Sequence, residues 1–346
     1  MRTGDDTTGP DATGPAGAAR GGGRRRWFRR RGVRIGAALT ALAVAAVAFW
    51  WRTPSPVGHW DSATGQDAFL SAYCAAFRDM PAVAETRDVR TDFGVVRVYR
   101  FDGAGDAAPM LLVPGRASAS PVWADNMDSL LRIGDVYTID LLGEPGMSVQ
   151  ERPIENAADE AAWLDQAIAG IPAGRVNLVG LSIGGWTAAN LAVHRPDRIT
   201  TLTLVDPVFT FDDLPFATVL RSVPASVPWL PKSWRDGFNS YTAGGAPVQD
   251  VPVADMIEAG MKHYVLKKPS PARISEEQLG TLAMPVLAII AGRSVMHDSA
   301  TAAATARRAL RSGTVRVYDG ASHAVNGEQP ERIAGDVAEL VSRLKN

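Results

Sequence analysis

The chain of 346 residues has a single cysteine, Cys74, so neither an intramolecular disulfide nor a cysteine-based zinc site can form. Its charges nearly balance, with 36 lysines and arginines against 37 aspartates and glutamates, which argues against nucleic-acid binding through a globally basic surface. The sequence contains no P-loop, no G-x-G-x-x-G fingerprint and no H-E-x-x-H motif. We therefore expect no nucleic-acid partner, no cofactor and no metal. With 46% apolar residues, the chain can form one large core or two modest domains.

The first 34 residues differ from the rest of the chain in charge and composition. They hold nine arginines and three aspartates, a net charge of about +6, whereas the remainder carries about −7. Residues 1–23 are mostly Gly, Ala, Thr, Pro and Asp, which offer too few large apolar groups to offset the entropy cost of ordering. The composition predicts a disordered, basic tail over residues 1–34.

A stretch without charged residues follows this tail, from Ile35 to Trp51. As a helix it would be about 25 Å long, close to the hydrocarbon thickness of a bilayer, about 30 Å. Arg34 and Arg52 bracket the stretch, and the arginines before it predict a cytoplasmic N-terminus. We expect a single-pass transmembrane signal anchor over residues 35–51, with the membrane as a partner and the rest of the chain outside the cytoplasm.

Two other interpretations of residues 35–51 stay open. Residues 46–48, Ala-Val-Ala, have the small-residue spacing that signal peptidases prefer, and residues 25–28 faintly resemble a twin-arginine signal. Cleavage there would give a secreted protein. The segment is also consistent with a buried core helix, although the flanking charges argue against it.

The pattern of an α/β protein begins after a linker and N-terminal helix, which we predict over residues 52–90. Val89–Phe101 predicts a hairpin with its turn at residues 92–94. Short apolar runs then predict strands buried on both faces, which are typical of a mostly parallel, doubly wound sheet. These runs are Met110–Val113, Val136–Ile139, Val176–Val179, Leu202–Val205, Val286–Ile290 and Val315–Tyr318. The predicted helices are Ala157–Ala169, Gly184–His194, Ser299–Leu310 and Glu331–Leu344.

One interval interrupts this alternation of strands and helices. Between Val205 and Val286 lie about 80 residues with ten prolines, too many and too irregular for a simple crossover. We interpret residues 208–284 as an inserted cap. Its aromatic residues either cover an apolar substrate pocket or form the cap's own core, and they are Phe209, Phe211, Phe216, Trp229, Trp234, Phe238 and Tyr241.

Residues 180–184 read G-L-S-I-G and stand between a predicted strand and a predicted helix. A serine at such a turn is held in a strained backbone conformation, with its hydroxyl exposed at a helix N-terminus. Ser182 is therefore the predicted nucleophile. The base must be one of five histidines, and His323 follows the last predicted strand. His194 ends the helix that Ser182 begins, about 15 Å away at helical rise, so it cannot reach the hydroxyl.

Several motifs occur together in the order typical of one superfamily. Residues 111–116 read L-L-V-P-G-R, residues 140–148 read D-L-L-G-E-P-G-M-S, and His323 is followed by E-Q-P-E at residues 328–331. With the turn at Ser182, these make the chain from about Thr91 to its end resemble the α/β-hydrolase superfamily, especially its capped carboxylesterase-like members. The resemblance implies an α/β-hydrolase core over residues 91–207 and 285–346.

The same resemblance implies a Ser-His-Asp triad and an oxyanion hole. The backbone N–H groups of Arg116 and Ile183 are the implied oxyanion donors, although Pro-Gly replaces the usual His-Gly before Arg116. An Asp common in the family is missing after the strand that ends at residue 291. Asp206, at the carboxyl end of the preceding strand, is the favoured acid, and the alternatives are Asp298, Glu144 or no dedicated acid.

This set of residues predicts hydrolysis of carboxylic esters, and of amides as a lesser possibility, through an acyl-enzyme. The expected substrate is a small molecule with an apolar acyl group. The same triad also serves acyltransferases, lyases and cofactor-free peroxidases. A catalytically silent, membrane-tethered binding module is the remaining alternative.

Overall fold

The computed structural model describes Thr40 and residues 55–344. The predicted tail at residues 1–34 and, apart from Thr40, the predicted helix at residues 35–51 lie outside the described residues, so both stay predictions. No helix in the described part of the chain combines the length and apolar character needed to cross a membrane. Residues 55–344 belong to one compact unit.

The strands of this unit begin and end close to the predicted positions. They are β1 His59–Trp60, β2 Glu85–Thr91, β3 Gly94–Phe101, β4 Ala107–Val113, β5 Gly134–Ile139, β6 Val149–Gln150, β7 Val176–Leu181, β8 Ile199–Val205, β9 Tyr264–Val265, β10 Val286–Ala291 and β11 Gly313–Tyr318. The hairpin of β2 and β3 pairs Thr91 with Gly94, which confirms the predicted turn.

The helices alternate with these strands as the apolar pattern predicts. They are α1 Ala63–Ala76, α2 Ala124–Leu130, α3 Ala157–Ala169, α4 Ile183–His194, α5 Phe216–Ala225, α6 Lys232–Thr242, α7 Pro252–His263, α8 Glu276–Leu279, α9 Ser299–Ala309, α10 Val325–Glu328 and α11 Pro330–Ser342.

The large sheet has the order β11-β10-β8-β7-β4-β5-β3-β2, with β6 paired to β3. In the spatial order β5-β4-β7-β8-β10-β11, each strand runs parallel to its neighbours. Strand β3 pairs antiparallel with β2, β5 and β6. The predicted doubly wound, mostly parallel sheet is therefore confirmed. Because the parallel strands end at one edge, the loops after β4, β7, β8, β10 and β11 meet there.

Helices cover both faces of the sheet, so alternate residues of each central strand enter different cores. In β4, Leu111 and Val113 pack with α3, α4 and α9, whereas Met110 and Leu112 pack with α1, α2 and α11. Burial on both faces explains why these strands are continuous apolar runs rather than alternating ones.

The segment between β8 and β10 contains α5 to α8 and β9, and its aromatics fall into two groups. Phe211 is 1% exposed and packs in the core shared with α3 and α4. Phe216 and Trp229 are 79% and 81% exposed. Phe211 therefore belongs to the main core, whereas the side chain of Trp229 faces solvent.

The start of the described chain joins this segment. Strand β1 pairs antiparallel with β9, and α1 packs against α7. Ser62 caps α1 by accepting the N–H of Gly65 at 3.0 Å. Residues 55–76 are thus held against the predicted cap, and α1 also packs on the sheet, where the Tyr73 hydroxyl donates to Asp140 at 3.0 Å.

Candidate active site

The predicted nucleophile, Ser182, lies at the sharp turn between the end of β7 and the start of α4. Its backbone has φ 54° and ψ −117°, a conformation that residues with a side chain rarely adopt. A Cβ at Gly180 would lie 2.3 Å from the carbonyl oxygen of Gly184, and one at Gly184 would lie equally close to that of Pro114. The two glycines are needed for this close approach, which places the serine at the helix N-terminus.

His323 lies on the loop between β11 and α10 and contacts both other members of the predicted triad. Its Nε2 is 2.8 Å from Oγ of Ser182, and its Nδ1 is 2.6 Å from Oδ2 of Asp206. Its backbone N–H donates to the carbonyl of Thr242 at 3.2 Å. His194 instead ends α4, where its Nδ1 donates to a backbone carbonyl of that helix.

Asp206 directly follows β8 and is buried. Its Oδ1 accepts the backbone N–H of Ala291 at 2.8 Å, and its Oδ2 accepts the hydroxyl of Ser294 at 2.7 Å. Burial by itself would raise the pKa of this carboxyl, but hydrogen bonds from His297 and His323 outweigh burial and hold the pKa well below its usual range. The carboxylate is therefore ionised at neutral pH.

Asp298, the alternative acid, caps a helix instead. Its side chain accepts the backbone N–H of Thr301 at 2.8 Å at the start of α9, and this hydrogen bond lowers the pKa of the carboxyl. The structure brings Ser182, His323 and Asp206 together and leaves Asp298 outside the group.

The predicted oxyanion donors lie on the two sides of Ser182. Ile183 is the first residue of α4, so its N–H has no acceptor within the helix. Gly115, next to Arg116, approaches Ser182 so closely that a Cβ on it would lie 3.7 Å from the serine Cβ. Within the described residues no acceptor takes the N–H of Arg116. Both N–H groups are therefore free to donate, and their role stays a prediction.

The sequence model of the alpha/beta hydrolase family matches residues 110–337, which is more than half of the chain and includes the whole group around Ser182. The chain belongs to the alpha/beta hydrolase family.

Relatives of this α/β-hydrolase include named carboxylesterases. Carboxylesterase YbfK of Bacillus subtilis is 22% identical over 273 residues, which cover 77% of this chain and 90% of YbfK. The crystal structure of naproxen esterase from Bacillus subtilis has a TM-score of 0.73 at 20% identity, over 82% of this chain and 99% of that one. A membrane phospholipase A has a TM-score of 0.64 at 18% identity, over 91% and 99%. The two structural matches show the shared fold.

Glu144, the third alternative for the acid, lies at the oxyanion loop of this α/β-hydrolase. Its Oε2 accepts the backbone N–H of Ala117 at 3.3 Å, and Ala117 has a φ of 53°. Its Oε1 is 3.5 Å from Nη1 of Arg116 and 3.9 Å from Nζ of Lys268. The buried carboxylate therefore holds the loop that carries a predicted oxyanion donor, and it makes no contact with His323.

The segment between β8 and β10 touches the loops around the site at several places. Thr242, at the end of α6, accepts the N–H of His323. Gly260 in α7 lies against Ala117, where a Cβ would come within 3.1 Å of the alanine carbonyl. The hydroxyl of Thr218 in α5 donates to the carbonyl of Val295. These contacts place the predicted cap over the carboxyl edge of the sheet.

His297, to which no sequence pattern assigned a role, is 3% exposed, and its Nε2 lies 2.8 Å from Oδ1 of Asp206. One signal could have found it: His297 follows β10 as His323 follows β11, so both histidines start from the same edge of the sheet. Among the described residues no group of three or more His, Cys, Asp or Glu side chains could hold a metal ion.

Proposed function

We propose that this α/β-hydrolase is a serine carboxylesterase that hydrolyses its substrate through an acyl-enzyme. The observation that carries the proposal is the unbroken chain of hydrogen bonds from Ser182 through His323 to the buried Asp206, at 2.8 and 2.6 Å. The carboxylesterase names of YbfK and naproxen esterase support the same reaction class. No sequence feature points to a cofactor, and the reaction needs none.

In the acylation step, Oγ of Ser182 attacks the ester carbonyl while Nε2 of His323 takes the hydroxyl proton. Asp206 stabilises the imidazolium that forms and fixes the tautomer with hydrogen on Nδ1. The proton then passes to the leaving alcohol as the ester C–O bond breaks. Water attacks the acyl-enzyme in the same way, and the acid leaves.

Negative charge develops on the carbonyl oxygen in both steps. The N–H groups of Ile183 and Arg116 would receive this charge, at the positive end of the α4 dipole. Glu144 stabilises this arrangement because its side chain accepts the backbone N–H of Ala117, the residue after Arg116. Each such donor is worth about 10² to 10³ in rate in other enzymes.

We further propose an uncharged, apolar acyl group as substrate. An arginine beside the nucleophile would favour an anionic substrate only if no carboxylate of the protein already paired with its charge. The guanidinium of Arg116 instead lies 3.5 Å from the buried carboxylate of Glu144, which offsets its charge.

The test is a pre-steady-state assay with p-nitrophenyl esters from acetate to octanoate. A burst of one p-nitrophenol per enzyme followed by steady turnover to free acid is the expected result, because p-nitrophenolate is a good leaving group, so that acylation is faster than deacylation and the acyl-enzyme accumulates. Within the pocket, kcat/KM should rise up to about fourfold for each methylene, since burying one is worth about 0.8 kcal/mol. Succinate monoesters should react more slowly than butyrate esters of similar length.

Three outcomes of that assay would contradict the proposal. Acyl groups that appear on an added alcohol rather than in free acid would indicate an acyltransferase. Turnover of other substrates without a burst would favour a lyase or peroxidase. Absence of both burst and turnover over the whole ester series would favour a silent binding module.

We also propose that the full chain is anchored in a membrane through residues 35–51, with its catalytic domain outside the cytoplasm. The uncharged stretch and the arginines before it support this location, and a membrane phospholipase A shares the fold. The full chain should stay in the membrane pellet after alkaline carbonate extraction. A soluble form that begins near residue 49 would instead indicate signal cleavage and secretion.

A further inference from the structure

We propose that His297 is a positioning residue for the triad acid: it fixes the carboxylate of Asp206 toward His323 and, when protonated, weakens His323 as a base. This inference rests on the proposed function, because it assigns Asp206 and His323 their roles in ester hydrolysis.

The first support is the division of the carboxylate between two imidazoles. Oδ2 of Asp206 faces Nδ1 of His323 at 2.6 Å, and Oδ1 faces Nε2 of His297 at 2.8 Å. The N–H of Ala291 and the hydroxyl of Ser294 supply one further donor to each oxygen. Four donors therefore hold the carboxylate, and His297 is the one side chain besides His323 that can change its charge.

The second support is the setting of the His297 ring. Asp206 is an ionised acceptor, so Nε2 of His297 must carry a hydrogen. Nδ1 of His297 is buried and has no hydrogen-bond partner among the described residues. A neutral ring leaves only a lone pair unpartnered there, whereas a protonated ring buries an unpaired N–H. Local hydrogen bonding thus favours the neutral ring, although the surrounding charges favour the protonated one.

Those charges come from three carboxylates near the ring. Asp206 after β8, Asp212 in the following loop and Asp298 at the start of α9 are negative, and Arg273 lies 3.9 Å from Asp212. Burial lowers the pKa of His297, but the hydrogen bond to Asp206 and these carboxylates outweigh burial and raise the pKa above its ordinary value. The ring therefore stays protonated to a higher pH than an ordinary histidine does.

The consequence for catalysis follows from charge alone. With His297 neutral, Asp206 has its full negative charge available to the imidazolium that forms on His323. With His297 protonated, Asp206 and His297 together carry no net charge, so they stabilise the imidazolium on His323 less. The two histidines thus share one carboxylate, and a proton on either lowers the affinity of the other for a second.

Two variants separate positioning from mere packing. His297→Gln places an amide N–H near the position of Nε2 and cannot titrate, whereas His297→Leu fills the space without a donor. At pH 8 we expect the Gln variant to keep kcat within about threefold of the unaltered enzyme, and the Leu variant to lose about 10- to 100-fold with KM nearly unchanged. His194→Gln, at the far end of α4, is the matched control.

The pH dependence of kcat/KM gives a readout that packing would not move. The acidic limb should shift to higher pH in the Gln variant, because no positive charge on residue 297 then lowers the affinity of His323 for its own proton. It should shift further to higher pH in the Leu variant, because Asp206 also loses a donor and attracts the proton on His323 more strongly. An acidic limb that coincides in all three enzymes, or full kcat in the Leu variant, would overturn the proposal.

A second measurement does not depend on activity. Titration of the ring nitrogens by ¹H–¹⁵N NMR should give a His297 pKa above the usual value, and His297→Gln should move the titration of His323. If no ester is hydrolysed but this coupling is found, the proposed function fails and the shared carboxylate remains. Independent titration of the two rings would refute the inference even in an active esterase.

Discussion

The variant Ser182→Ala should lose on the order of 10⁶ in kcat on the best ester and should no longer react with a fluorophosphonate probe. The change removes only Oγ, whose partner is His323 at 2.8 Å, and leaves the strained backbone with a Cβ of the same size. The fold should therefore survive. Intact-mass spectrometry after probe treatment, beside a thermal melt, measures both effects.

Two further variants serve as controls for this experiment. Ser233→Ala, an exposed position in α6, should label as the unaltered enzyme does, and His323→Ala should label slowly because the hydroxyl loses its base. Undiminished labelling of the Ser182→Ala variant, at any site, would mean that another residue is the nucleophile.

The sheet was predictable because a strand buried on both faces appears in the sequence as a continuous apolar run. Residues 176–181 and 286–291 are uninterrupted buried runs of six residues, the length of a strand. Ser182 was predictable for a related reason: the tight approach around it requires two glycines at fixed spacing. In both places the backbone itself restricts which residues fit.

The triad acid could not be fixed in the same way, since two aspartates follow neighbouring strands. Asp206 and Asp298 both come after strands that end at the carboxyl edge. Their roles diverge through three-dimensional contacts: Asp206 is held by Ala291 and Ser294, whereas Asp298 turns to cap α9. A local sequence pattern does not show which hydrogen-bond donors each carboxylate contacts in the folded protein.

The predicted cap was harder still, because its helices have no central sheet to define an inner face. Phe211 lies in the core shared with α4, while Phe216, five residues later, is exposed. Both occur in the same proline-rich context, so composition could not separate them. The contact of Glu144 with the oxyanion loop also depends on a turn that the chain makes between β5 and β6.

The variant Asp206→Asn should lose about 10² to 10⁴ in kcat while KM changes little. Asparagine keeps the shape of the side chain but offers one oxygen and one NH₂ group, whereas the carboxylate accepts from both sides. The amide must therefore present N–H either to His323 or to His297. In the first orientation His323 is driven to the tautomer with hydrogen on Nε2, which cannot take a proton from Ser182.

Asp298→Asn is the matched control, because asparagine caps a helix about as well as aspartate and Thr301 keeps its acceptor. Its kcat should stay within about twofold of the unaltered enzyme. Both variants must first melt as the unaltered enzyme does, since Asp206 also ties β8 to β10 through Ala291. The reverse ranking of the two kcat values would assign the acid to Asp298, and equal, modest losses would mean that His323 works without a dedicated carboxylate.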